Sequence, residues 1–122
     1  MAKDDYSIIM YYLLSYLYGC LKKGRPVQES TVLLNEYPVK LAESYTVYIL
    51  DNMQREGLIR GAEIFKVPVL GAGEMRSVRD VTKLEITPEG IRYLTENSTM
   101  TKAKEIIKST GGILSAAIQS FL

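Results

Sequence analysis

A chain of 122 residues can bury one hydrophobic core but not two, and 47% hydrophobic with 24% charged residues is the balance of an ordinary globular domain. The 15 lysines and arginines against 14 acids leave a formal charge of +1, which neither demands nor forbids a nucleic-acid partner. With no histidine and one cysteine, Cys20, an intramolecular disulfide and the usual soft-metal sites are excluded, and acid–base catalysis loses its commonest side chain.

Residues 5–22 read as a first helix, capped by Asp4 or Asp5, with Lys22 and Lys23 in its last turn and Gly24 as its stop. Its run Ile8 to Leu21 is the most hydrophobic of the chain yet shorter than the roughly 20 residues of a membrane span. Asp4 and Asp5 sit where a signal peptide would carry basic charge, so the expectation is a buried helix of a cytoplasmic protein without membrane contact. Ile8, Ile9, Tyr12, Leu13, Tyr16, Leu17 and Leu21 form one apolar stripe, and Met10, Tyr11, Leu14 and Tyr18 form a second. A small domain is not expected to bury both. Either the tyrosines keep wet hydroxyls at the surface, or the second stripe meets another copy of the chain; a homodimer is the expectation taken forward.

Residues 25–40 read as a linker with a short second helix near Glu29 to Asn35 and a turn at 36–39, because Pro38 pushes its predecessor out of helical geometry. From Leu41 a third helix is predicted, with Ala42, Thr46, Ile49, Leu50 and Met53 on its core face. Gly57 supplies the left-handed stop, and Leu58-Ile59 resumes the core as a strand. A helix, a glycine stop and a strand in direct succession is how the third helix of a winged helix-turn-helix enters its wing. Residues 61–67 suit a strand ended by Pro68, 69–80 a hairpin tip, and 81–86 an antiparallel return.

Thr87-Pro88-Glu89 is a helix start, with a capping threonine, proline at the first position and an acid in the first turn. That helix, 88–96, is expected to bury Ile91 and Leu94; Asn97-Ser98-Thr99 recaps a last helix from Met100. In it Ile106/Ile107, Thr110, Ile113/Leu114, Ala117/Ile118 and Phe121 repeat as a helix-packing seam, with Gly111-Gly112 as a kink or close crossing. The fold class is α+β, mainly helical: a winged helix-turn-helix with a three-helix core, a two-stranded antiparallel wing and C-terminal helices. Residues 1–97 form the winged-helix domain, and 98–122 a dimerising or core-covering extension. Candidate dimer contacts are Tyr11, Leu14, Tyr18, Ile113, Leu114, Ile118 and Phe121.

Two stretches, ITPEGIRYLTENSTMTKAKEIIK (86–108) and MQREGLI (53–59), resemble the YjcQ-like family of small winged-helix proteins from Gram-positive bacteria and their prophages. The chain departs from that family in a longer segment between its first and third helices, a longer wing and an apolar tail. The resemblance implies a winged-helix fold in a cytoplasmic or phage setting and brings no catalytic residue with it.

If the third helix enters a major groove, its outward positions are Lys40, Glu43, Ser44, Val47, Tyr48 and Asp51. Candidate contacts to double-stranded DNA are Lys40, Ser44, Tyr48 and Arg55, with Arg76 and Arg79 from the wing and a further basic cluster at Lys22, Lys23 and Arg25. Glu43 and Asp51 oppose them, since affinity rests on neutralising phosphate charge. Val47 and Tyr48 rimmed by those acids would serve a protein partner equally. Catalysis is not expected: Cys20 sits in an apolar helix, and Gly71-Ala72-Gly73 lacks the lysine and hydroxyl of a phosphate loop. The first expectation is a dimeric, cofactor-free DNA-binding regulator of phage or mobile-element type. The alternative is a non-enzymatic protein–protein interaction module on the same fold.

Overall fold

The computed structural model describes residues 5–110, 112, 114–116 and 118; expectations for Ile113 and Phe121 lie outside the described residues. The chain is α+β and mainly helical, in a winged-helix arrangement. Helix α1 (Asp5–Lys23) runs through the middle, and its Ile9, Leu13, Leu14 and Leu17 are sealed from solvent. Helix α2 (Glu29–Val32) is shorter than expected, because Leu34 turns to φ 63° and ends it. Burial of the Leu34 side chain holds that left-handed turn, with its N–H donating to Thr31 O at 3.1 Å.

Helix α3 (Glu43–Arg55) starts two residues later than predicted, with Ala42 as its cap rather than in its core face. It ends as the sequence requires. Gly57 adopts φ 77°, its N–H donates to Gln54 O at 3.0 Å and that of Leu58 to Met53 O at 3.0 Å. Strand β1 (Ile59–Arg60) then pairs antiparallel with β4 (Glu85–Ile86). The Gln54 amide fastens the following loop: Nε2 donates to Ala62 O at 3.0 Å, and Ala62 N–H donates to Oε1 at 2.9 Å.

The wing is β2 (Glu63–Val69) and β3 (Gly73–Asp80), antiparallel, with a bulge between Glu63 and Ile64. Two expectations are corrected here. Pro68 does not end the strand but lies within it opposite Glu74. Both strands of an isolated ribbon are edges, so a missing N–H on the outer side removes no ladder bond. The return strand is 73–80 rather than 81–86, because Val81 and Leu84 are drawn into the core. Residues 81–84 therefore turn, with Leu84 N–H donating to Val81 O at 3.1 Å, and only β4 resumes pairing.

Helices α4 (Pro88–Glu96) and α5 (Ser98–Thr110) fold back over α1. Met100, Ala103 and Ile107 of α5 join the α1 core, Ile118 is buried and Leu114 half-buried. The expectation for the second stripe of α1 is thereby corrected. Tyr11 is 9% exposed and Leu14 0% exposed within a single chain, because α4 and α5 cover them. That stripe needs no second copy to bury it.

Candidate functional site

The outward side of α3 is where a winged helix would meet DNA, and here part of it, at Asp51, meets the wing. Side chains alternate across a strand, so Ile64, Arg76 and Val78 share the wing face that packs on α3. Val47 and Asp51, expected to point outward, are 1% and 9% exposed, which corrects their placement. Asp51 becomes the centre of a charge cluster. Arg76 Nε lies 2.8 Å from Asp51 Oδ2 and Arg55 Nε lies 3.3 Å from the same oxygen. The buried Arg76 Nε–H has no acceptor in line with it, so this contact is ionic rather than a well-directed hydrogen bond.

Above the cluster lies Tyr48, 45% exposed, with the Arg76 guanidinium 5.7 Å over its ring. Tyr45 stacks on Tyr48 at 6.5 Å, and Tyr6 of α1 meets it edge-on at 6.4 Å. Burial, then the nearby Glu56 carboxylate, pushes the Tyr6 hydroxyl up to about 12. The same two causes raise that of Tyr93. These hydroxyls stay protonated at neutral pH.

The six candidate DNA contacts do not converge. Ser44, Tyr48 and Arg55 are exposed on α3, and Arg76 comes to them through its ion pair with Asp51 and its place over the Tyr48 ring. Lys40 is not on α3; it lies in the preceding loop, lining an open groove of about 610 Å³ with Leu34, Tyr37, Glu43 and Thr46. Arg79 sits 5.0 Å over the ring of Phe65, on the wing face turned away from α3. That outer face exposes Phe65, Val67 and Met75, with Leu70 fully exposed at the tip. Sequence reasoning missed this apolar face. The signal was present, in the alternation Phe65, Val67, Val69 on a strand that has one face to spare.

The motifs that carried the family resemblance lock together in space. The Thr87 hydroxyl donates to Gly57 O at 2.6 Å and accepts from Gly90 N–H at 2.9 Å, while Thr87 N–H donates to Leu58 O at 3.1 Å. A Cβ on Gly90 would lie 2.1 Å from Leu58 O. The start of α4 is thus keyed into the turn after α3. The sequence profile of the family described as YjcQ protein matches residues 11–111. The chain belongs to this family. No match was found among curated proteins or among solved structures. In this YjcQ family member Cys20 is buried, and among the described residues no three acids or cysteines gather where they could hold a metal ion. No helix among those residues is long and apolar enough to cross a membrane.

Proposed function

We propose that this YjcQ family member is a non-enzymatic interaction protein that keeps the winged helix and uses the outer face of its wing to bind a protein partner. One observation carries this reading: the inner wing face is committed to α3, while Phe65, Val67 and Met75 stand exposed beside one another on the outer face. Exposed apolar side chains grouped on one face mark contact surfaces more often than scattered ones do. Arg55 and Arg76, the bases nearest the reading side of α3, share the one Asp51 carboxylate, which offsets part of their charge. A photo-crosslinker at Met75 should capture one protein in the source cell and lose it on Phe65→Glu, with the fold checked by circular dichroism. Crosslinks to nucleic acid in place of protein would overturn the reading.

The second reading, a regulator of phage or mobile-element type that binds double-stranded DNA, has its own support at the far end of α1. Lys22, Lys23, Arg25 and Lys83 are in no ion pair among the described residues, and Arg25 and Lys83 line one hollow. Titration with random duplex DNA at low and moderate salt tests it. Steeply salt-dependent binding lost on Lys23→Glu with Arg25→Glu would favour this end of the molecule, and loss on Arg76→Gln would favour α3.

A further inference from the structure

The second stripe of α1 is covered by α4 and α5, but not filled. Tyr11, Ser15, Tyr18 and Lys22 recur at helical spacing along one side of α1 and form one wall of a cleft of about 330 Å³. Leu94 of α4 and Met100 of α5 supply its apolar surface, and Lys104 of α5 also lines it. The cleft is graded from inside to mouth. Ser15 and Tyr11 are buried, Tyr18 is half-buried, and Lys22 and Lys104 are exposed. No carboxylate lines it, and neither lysine is in an ion pair among the described residues.

Lys22 Nζ lies 4.4 Å from the centre of the Tyr18 ring, a cation–π contact between two residues that line the cleft. Thr95 and Thr101, also on the walls, donate their hydroxyl protons to Ile91 O at 2.9 Å and Asn97 O at 3.2 Å. The two ammonium groups are thus the strong donors left. Burial raises the Tyr11 hydroxyl, with a hydrogen bond from Ser15 acting in the opposite direction, so the inner cleft stays neutral. A volume near the lower end for small-molecule sites fits one ring with a substituent. Two lysines as point charges match a phosphate monoester, which carries about −1.5 to −2 at pH 7, better than a carboxylate of −1.

We propose that the α1–α4–α5 cleft binds a small phosphate monoester with an apolar or aromatic body, the phosphate between Lys22 and Lys104 and the body against Tyr18, Leu94 and Met100. The site lies away from the wing, so occupancy there is independent of what the wing binds. The probes are phenyl phosphate, inorganic phosphate and benzoate, titrated into the isotope-labelled full chain and followed by amide chemical shifts. Phenyl phosphate should give saturable shifts confined to residues 11–22 and 94–104, and should bind about tenfold tighter than either comparator, a factor that one ring or one charge supplies. Lys22→Gln and Lys104→Gln should each weaken it about fivefold, the upper end for an exposed ion pair, with Lys66→Gln on the wing unchanged. Both lysines are exposed, so these variants should fold. Equal affinity for the three probes, tighter binding of benzoate, shifts elsewhere, or indifference to both substitutions would each overturn the proposal.

Discussion

Substituting Gly90 by alanine should destabilise the domain sharply, although alanine is the better helix former. The new Cβ would stand 2.1 Å from Leu58 O and 2.7 Å from Ile86 Cγ1, when carbons of this kind essentially never approach within 3.0 Å. The nearest obstacle is a backbone carbonyl, so it cannot swing aside; the start of α4 must move by most of an ångström. That movement breaks the bonds from Thr87 to Gly57 O and Leu58 O, together worth about 2 kcal/mol. Overpacking strain adds about 2 kcal/mol, and the helical preference of alanine returns about 1 kcal/mol. The net loss is about 3 kcal/mol, a large part of the 5–15 kcal/mol that stabilises a typical domain, and roughly 12 °C in melting temperature at this chain length. Urea unfolding followed by circular dichroism measures it. Gly57→Ala is the comparator: nothing lies within 4 Å of its Cβ, so only the φ 77° strain is felt, about 1–2 kcal/mol. If Gly90→Ala is as stable as the parent, α4 is not keyed into the α3 turn as described.

Thr87→Val keeps the shape but leaves Gly57 O and Gly90 N–H without their side-chain partner; about 2 kcal/mol should be lost in the same assay, while Thr87→Ser should recover most of it. Leu14→Ala should cost 2–5 kcal/mol with sedimentation unchanged, whereas a dimer seam at Leu14 would show a concentration-dependent loss of stability. Arg76→Met should raise amide exchange in β2 and β3 about fivefold, the opening expected from losing about 1 kcal/mol of a half-exposed ion pair; unchanged exchange would mean the wing rests on α3 by packing alone. Tyr6 has its folded pKa raised above the unfolded value, so its neutral form carries stability that is fully present below pH 10 and lost as pH rises towards about 12. Denaturation at pH 8 and pH 11.5 should show that fall, and Tyr6→Phe should lessen it.

What the sequence made legible was local. The Gly57 stop and the Thr87-Pro88 start were readable because capping is decided within a turn by residues next to each other. The need for Gly90 was not, since the carbonyl it faces belongs to Leu58, in a turn joined to Thr87 across 30 residues. Wing register failed for the same reason. Residues 81–86 have strand preference, but burial of Val81 and Leu84 outweighs it, and Pro68 reads as a strand end only if a partner needs its N–H. The second stripe of α1 was visible as apolar, while its cover lies more than seventy positions later in α4 and α5. At the candidate site, spacing set Val47 and Asp51 outward, yet both are buried; that Arg76 of the hairpin reaches Asp51 is a tertiary fact with no local trace.

That closure sets a cost on reading DNA with α3. Ser44, Tyr48 and Arg55 are already exposed on α3, but for Asp51 to face a groove free of the wing it must part from Arg76, at about 1 kcal/mol. About 1 kcal/mol taken from binding weakens affinity about fivefold. Asp51 would then face the phosphates with Arg55 alone as its counterion. Contacts through Phe65, Val67 and Met75 need no such opening, because these side chains already stand in solvent with the wing in place. If the outer face binds the partner, as proposed, stabilising the Arg76–Asp51 contact should leave that mode intact while weakening any mode that needs Asp51 and Arg76 apart.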